Sequence, residues 1–316
     1  MQDRAALGQQ ILGWSAIAMS TFFACIWAWW GSNENFHEGW YSPSFLRNVG
    51  LLLAQYLSPM LLVVSVSAAA LRWRRLALPL LTAVAIAAVW FFGGFRIRFA
   101  ALALIALPLA LLGVLYRFGR PEPRCWAWRC LIGLPLATAL VSGAYPAWRA
   151  AHRLDDGNYG MRQIAGNGLT LIWAPQGPGW PANGVSWDQA TQRCAHLTAN
   201  GLALSNQVQN LWRLPSVDEA VRSLVFRGSN AGGTWDSVKH QAHFRVVPDK
   251  DSPLWMVHSP VIYWWTSTEA DPDHAYYISN NGYVHLARKQ IRPGYLAYRC
   301  VCEPAGLHTA NGRGNR

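Results

Sequence analysis

The sequence predicts a membrane-embedded bundle of five transmembrane α-helices followed by an α+β domain. Three observations lead there. Five long apolar windows lack charge, the charged residues divide unequally near residue 150, and the second half carries the helix caps and turns of an ordinary folded domain. The 316 residues have a formal net charge of +11, are 52% hydrophobic and only 14% charged. Soluble domains carry about a quarter charged residues, so a wholly soluble protein is excluded; the apolar and aromatic content excludes a disordered one. The near-neutral mean hydropathy of +0.09 averages two unlike parts. Up to Ala150 there are 12 Arg, no Lys and four acids, Asp3, Glu34, Glu38 and Glu122. From Ala151 onward, 15 basic and 12 acidic residues mix as in a soluble protein.

The charge-free windows start after Arg4, Arg47, Arg75, Arg98 and Arg129, and enclose 29, 24, 20, 18 and 19 residues. A membrane helix needs roughly 17–25 apolar residues to cross a ~30 Å hydrocarbon core. Within residues 1–150 the spans are therefore expected at about 8–30, 48–71, 76–94, 99–117 and 130–148. Buried soluble helices would show alternating charged faces, and none is present. The first apolar stretch is longer than a signal-peptide core, and Phe22-Phe23-Ala24-Cys25 is a poor lipoprotein site, so it reads as an uncleaved helix.

With the N-terminus inside, the inner segments hold Arg4, Arg72, Arg74, Arg75, Arg117, Arg120, Arg124 and Arg129, against Arg47, Arg96 and Arg98 outside. The positive-inside rule favours this arrangement, although the tight turn at Arg96 and Arg98, with Arg149 and Arg153, counts against it. Five spans then put the C-terminal domain outside. Trp27, Trp29, Trp30 and Trp40 cluster near the outer end of the first span, as an interfacial belt does.

No Asp, Glu, Lys, Arg or His is read inside a span, so the ion and proton pathways that such residues mark are not expected. Gln55, Ser58, Ser65, Ser67, Thr82, Thr138 and Ser142 read as helix-packing contacts. Pro59, Pro79, Pro108 and Pro135 are expected to kink their spans. No inverted repeat is visible. The bundle reads as an anchor, or as a docking surface for partner membrane proteins.

Residues 151–160 form a polar, Gly-containing linker, 161–303 the external domain and 304–316 a tail without hydrophobic pattern, expected to be disordered. In the domain, Leu169–Trp173 reads as a strand. Ser186 with Gln189, and Ser216 with Glu219, are capping boxes. The first opens a helix with Trp187, Ala190, Cys194 and Leu197 on one face. The second opens a helix with a stripe of Val217, Ala220, Val221, Leu224 and Val225, and Pro215 blocks an earlier start. Val261–Thr266 reads as a buried strand. Ala275–Ser279, Tyr283–Ala287 and Leu296–Cys302 complete an expected antiparallel set, with Asn280-Asn281-Gly282 as a hairpin turn.

These residues resemble a bacterial family, the C-terminal domain of the Legionella collagen-like adhesin, which is largely without assigned function. Trp212-Arg213-Leu214-Pro215-Ser216-Val217-Asp218-Glu219 resembles its WRLP[ST]xxE signature. Ser186-Trp187 with Ala190 and Cys194 is similar to its first helix. Tyr263-Trp264-Trp265-Thr266-Ser267-Thr268-Glu269 is similar to its YW[ST]S[ST] strand, Ala275–Ile278 through Gly282 to its hairpin, and Tyr298-Arg299-Cys300-Val301 to its terminal strand. The resemblance covers about residues 168–303 and none of the membrane half. It implies a C-type-lectin-like fold, related in shape to formylglycine-generating enzymes, with Trp187, Trp212, Arg213, Pro215, Glu219, Trp265, Ser267 and Arg299 as structural residues. It also implies a disulfide between Cys194 and Cys300. Cys302 lies two residues on and points to the same face of a strand, so it is an alternative partner. Cys25, Cys125 and Cys130 read as free thiols.

Fold does not carry one activity. An enzyme reading has one foothold, since Cys300-Val301-Cys302 places two cysteines near the C-terminus, as a copper-dependent cysteine oxidase would; the rest of that enzyme's active-site segments find no match. Glu269, Asp271 and Asp273 are weak calcium candidates, because calcium needs several converging oxygens, and the EPN and WND sugar-binding triplets are absent. His240-x-x-His243 has ligand spacing, but no helix is expected there and no third ligand is fixed. Neither a phosphate-cradling Gly motif nor a Ser-His-Asp signature occurs, and no cofactor is expected. Most of the +11 sits at span ends, so nucleic acid is not an expected partner. Trp235, His240, His243, Trp255 and His258 lie in the long stretch 230–260, which in lectin-like folds carries recognition; the alternative is that Trp235 and Trp255 close a small core. The expected protein is a multi-pass bacterial inner-membrane protein. Its N-terminus is cytoplasmic, and its periplasmic domain binds a polysaccharide, envelope component or protein without catalysis. The alternative is a structural subunit of a multiprotein membrane complex.

Overall fold

The computed structural model describes residues 2–93, 102–291, 294 and 296–304. The tail 305–316 and the turn with Arg96 and Arg98 lie outside the described residues. The chain divides into two compact units, Met1–Trp40 with Ser44–Ala150, and Tyr41–Pro43 with Ala151–Arg316.

The first unit is helical: α1 (Gln2–His37), α2 (Phe45–Leu51), α3 (Ser58–Arg72), α4 (Ala77–Gly93), α5 (Leu107–Phe118), α6 (Arg124–Trp128) and α7 (Leu134–Ala151). Three π-helical turns interrupt them, Leu52–Tyr56, Leu102–Ala106 and Arg129–Gly133. Each lies shortly before a proline, Pro59, Pro108 or Pro135. Proline lacks an N–H and its ring crowds the carbonyl four residues back, and a widened turn there relieves the crowding. The expected kinks are thus π-turns at three of the four prolines.

Among the described residues, three helices are long and apolar enough to cross a membrane: Arg4–His37, Arg74–Phe91 and Arg124–Ala151. The window at 48–71 is not one straight span. Phe45–Tyr56 and Ser58–Arg72 meet at 62°, and counting this bent pair as one gives at most four. The expected count of five is corrected accordingly. The window at 99–117 begins outside the described residues, and its described part, Leu104–Phe118, is a shorter apolar helix.

Small residues let these helices touch. A Cβ on Gly31 of α1 would lie 2.3 Å from the Tyr56 carbonyl oxygen, closer than any side chain tolerates. Inside the bundle, Ser67 of α3 donates to Ser20 of α1 at 3.0 Å, and Ser20 is 2.9 Å from the Tyr116 hydroxyl of α5. Ser67 therefore serves as a packing contact that ties three helices through hydroxyls.

Among the described residues the second unit is β-rich, with two helices, α8 (Trp187–His196) and α9 (Val217–Ser223). Both capping boxes form, with Ser186 and Ser216 each accepting from the residue three on and the Gln189 and Glu219 side chains reaching back. A three-stranded sheet pairs β1 (Arg162–Gly166), β2 (Leu169–Trp173) and β11 (Val301–Cys302) in that order. A four-stranded sheet runs β10 (Leu296–Ala297), β7 (Tyr263–Glu269), β8 (His274–Ser279) and β9 (Val284–Arg288). Two small hairpins, β3 (Val225–Phe226) with β4 (Ser229–Asn230) and β5 (Thr234–Asp236) with β6 (Gln241–His243), precede it in the chain. At the turn from β8 to β9, Gly282 adopts φ +89° and donates to the Ser279 carbonyl at 2.9 Å.

The segment 296–302 corrects one expectation. It is two short strands in two sheets, and β10 pairs with β7 in parallel. The switch falls at Tyr298-Arg299-Cys300, where Arg299 is drawn inward by carbonyls far away in sequence. Two cores flank the sheets. One gathers Trp173, Trp180, Trp255 and Trp264 with α9; the other gathers Cys194, Trp212, Trp265, Tyr298, Cys300 and Cys302 with α8. Cys194 and Cys300 are joined as a disulfide, with sequence separation 106. Cys25, Cys125, Cys130 and Cys302 are free.

The stretch 151–160 is largely held by the second unit. Arg153 pairs with Asp249 at 3.0 Å, the Leu154 N–H donates to Asp251 at 2.7 Å, and the Asp156 N–H donates to Ser252 Oγ at 3.2 Å.

Candidate functional site

The residues of the signature hold the unit together. Arg213 makes a two-pronged ion pair with Glu219, at 2.7 and 2.6 Å, and reaches Glu303 at 2.8 Å. Glu219 also accepts from the Ser216 N–H at 2.7 Å, so one carboxylate caps α9 and fixes Arg213. The Pro215 carbonyl accepts from the Ser267 N–H at 2.8 Å, and the Val217 N–H donates to Thr268 Oγ1 at 3.0 Å. Trp187, Trp212 and Trp265 each give their indole N–H to a backbone carbonyl, of Thr266, Thr198 and Val185.

Burial alone acts to raise the Glu219 pKa, but the Arg213 pair and the Ser216 N–H win and hold it below the usual value. A carboxylate with a lowered folded pKa contributes stability above its unfolded pKa and loses it as pH falls through the folded one. Glu219→Gln is therefore expected to be less stable than wild type at neutral pH. The gap should close below the ordinary glutamate pKa; a pH-independent gap in acid unfolding curves would refute this.

The segment 230–260 is built around the β5–β6 hairpin. Trp235 on β5 is half-buried against the core, with its ring 5.9 Å from Tyr276 of β8 in an edge contact. His240, in the turn at φ 53°, stacks on Tyr276 with centroids 5.8 Å apart and 21° between planes. A 2.8 Å hydrogen bond joins the Tyr276 hydroxyl to His240 Nδ1. Trp235 and His240 are 6.4 Å apart, closing a three-ring cluster whose His240 edge is exposed. His243 is exposed on β6, opposite Thr234. Among the described residues, no third His, Cys, Asp or Glu joins His240 and His243 in a group of converging ligand atoms.

Trp255 leaves the list of recognition residues. It is 1% exposed and stacks on Trp264, with ring centroids 3.8 Å apart, because burying two indoles outweighs exposing one. His258 belongs to another group, 3.7 Å from Asp155. Asp155 accepts from the Tyr159 hydroxyl at 2.8 Å, and burial with Asp155 pushes the Tyr159 pKa up to about 12.

The calcium candidates do not converge. Glu269 pairs with Lys289, and Asp271 accepts from the Asp273 and His274 N–H groups at 2.8 Å each while facing the His274 ring. Among the described residues, Glu34, His37 and Glu38 form the only group of three His, Cys, Asp or Glu residues whose ligand atoms all lie within 4.8 Å of one another. The free Cys302 thiol is 2% exposed, and burial with the nearby Glu303 pushes its pKa up to about 12. Cys300 is engaged with Cys194, so of these two cysteines Cys302 is the free thiol, and it is buried.

Two features escaped the sequence reading. Tyr263, Tyr277, His285 and Tyr283 form a row of rings across β7, β8 and the edge strand β9, with successive centroids 5.5, 5.4 and 6.2 Å apart. The signal was the pair Tyr263/Trp265, two apart and so on one face of β7, with Tyr277 opposite them on β8. The second is a buried charged run, Asp249-Lys250-Asp251. Lys250 is 1% exposed, donates to the Ser259 carbonyl, and is pushed well below the ordinary lysine pKa by burial, with Arg153 adding to the effect. Nothing in the pattern around it signals burial.

Comparison with protein-family models, curated proteins and solved structures finds no match to this chain.

Proposed function

We propose that the protein is a membrane-anchored recognition protein of the bacterial inner membrane, whose C-terminal unit lies outside and has a C-type-lectin-like fold. It binds a glycan, envelope component or protein without catalysis. The reading rests on the cluster of Trp235, His240 and Tyr276. Aromatic rings with an adjacent polar edge suit stacking on sugars and hydrogen bonding to hydroxyls, and the hairpin that presents them is braced by a buried core. The resemblance of Trp212–Glu219 to an adhesin domain points the same way. The disulfide supports an external location, because such bonds persist in oxidising compartments.

The alternative, a structural subunit of a membrane complex, draws on the helical unit. Its buried Ser20–Ser67–Tyr116 hydroxyls and close-packed glycines make a built bundle, where one helix would serve as anchor. Purification in mild detergent separates the two. The recognition reading expects a chain free of stoichiometric partners that is retained by a glycan or envelope-component array; constant co-purification of other membrane proteins with no array signal would instead establish the subunit.

A further inference from the structure

Five arginines that the sequence marks only as a topology signal line one cavity of about 840 Å³ in the helical unit. Arg72, Arg74 and Arg75 come from the end of α3 and the turn before α4, and Arg117 and Arg120 from the end of α5 and the loop after it. Among the described residues, no acid lines this cavity. The positive-inside rule asks for arginines on one side of a membrane; it does not ask them to face one another. Like charges held together repel unless an anion sits among them.

The cavity has a built wall. Arg74 Nη2 donates to the carbonyls of Arg117 and Phe118 at 3.3 Å each, tying the α3–α4 turn to the end of α5. The Arg74 Nε is buried and has no partner among the described residues. The Arg120 N–H donates to the Gln9 carbonyl at 2.7 Å, and a Cβ on Gly119 would lie 2.4 Å from the Gly13 nitrogen, so this wall is pinned to α1. Around the charged centre the rim is apolar: Trp73, Leu76 and Phe118 are 56%, 55% and 55% exposed. Guanidinium forks match phosphate oxygens two at a time, and basic pockets between membrane helices on the cytoplasmic side suit anionic headgroups.

We propose that this cavity binds the phosphate groups of an anionic lipid headgroup, with the apolar rim against the acyl chains. The proposal rests on the membrane reading and is independent of what the C-terminal unit recognises. Resistance of the membrane fraction to alkaline extraction checks the membrane reading separately.

The test is native mass spectrometry of the full chain in detergent with cardiolipin, with phosphatidylcholine, or with inorganic pyrophosphate. Wild type is expected to retain cardiolipin and not phosphatidylcholine. Arg74→Gln, Arg117→Gln and Arg120→Gln combined should weaken retention roughly a hundredfold, and Arg129→Gln, outside the cavity, should leave it unchanged. Arg75 is exposed, so Arg75→Gln guards against misfolding, with retention expected to fall roughly fivefold. Equal retention by the wild type and the cavity variants would overturn the proposal. Pyrophosphate binding without lipid retention would also overturn it, assigning the cavity to a soluble phosphoanion.

Discussion

Arg299→Ala is expected to destabilise the C-terminal unit by about 3–5 kcal/mol, and Arg299→Lys should not rescue it. Arg299 is fully buried. Its Nε donates to the Ala174 carbonyl at 2.9 Å, and Nη1 to the carbonyls of Pro253 and Leu254 at 2.9 and 2.8 Å. The guanidinium lies 3.5 Å from the centroid of the Trp180 ring. No ion pair neutralises it among the described residues, so carbonyl dipoles and the indole face take that role. One side chain thus joins the end of β2, the loop after Ser252 and the terminal strand. Alanine leaves three carbonyls without this donor and a void between tryptophans. Lysine carries the charge but cannot both stack and span three acceptors. The readout is proteolytic survival of the C-terminal unit across a temperature ramp. An Arg299→Lys protein within about 1 kcal/mol of wild type would remove Arg299 from this role.

The second large effect is expected from the disulfide. The Cys194–Cys300 bridge closes a loop with sequence separation 106. In the chain-entropy model a loop of that size is worth up to ~4–5 kcal/mol. Changing both cysteines to alanine should lower the stability of the C-terminal unit by a comparable amount and leave the helical unit folded. A peptide map without reduction should link the Cys194 and Cys300 peptides. Cys302 should resist alkylation until the protein is denatured, since it is buried and its thiol is protonated. Finding Cys194, Cys300 and Cys302 all reduced in protein isolated from membranes would refute both the bridge and an external C-terminal unit.

Local signals were readable. A capping box needs only four residues, and both Ser186/Gln189 and Ser216/Glu219 form as the pattern implies. The hairpin at Asn280-Asn281-Gly282 is equally local. The apolar windows located the helices but not their breaks, because a π-turn before Pro59 or Pro108 leaves composition unchanged. The segment 296–302 was misjudged because its switch between sheets is decided by Arg299 reaching residues 174, 253 and 254. Trp255 was misplaced for a similar reason: whether an indole in a loop is exposed depends on Trp264 waiting beneath it. The hairpins of β3–β6 were missed, since strands of two or three residues among glycines carry no period. For the candidate site, Trp235 and His240 were named from composition, whereas Tyr276, which joins them, read only as a strand residue. The arginines of the cavity were counted, but their convergence depends on how α1, α3, α4 and α5 pack.

The central claim is that the C-terminal unit recognises a ligand through the Trp235–His240–Tyr276 cluster. Its most direct test applies the full chain in lipid nanodiscs to an array of glycans and envelope components, beside a Trp235→Ala, His240→Ala variant. Retention by wild type and a loss of at least roughly tenfold in the variant, with the Cys194–Cys300 bridge intact in both, is the expected result. Unchanged retention in the variant, or no retention by wild type on any surface, would contradict it.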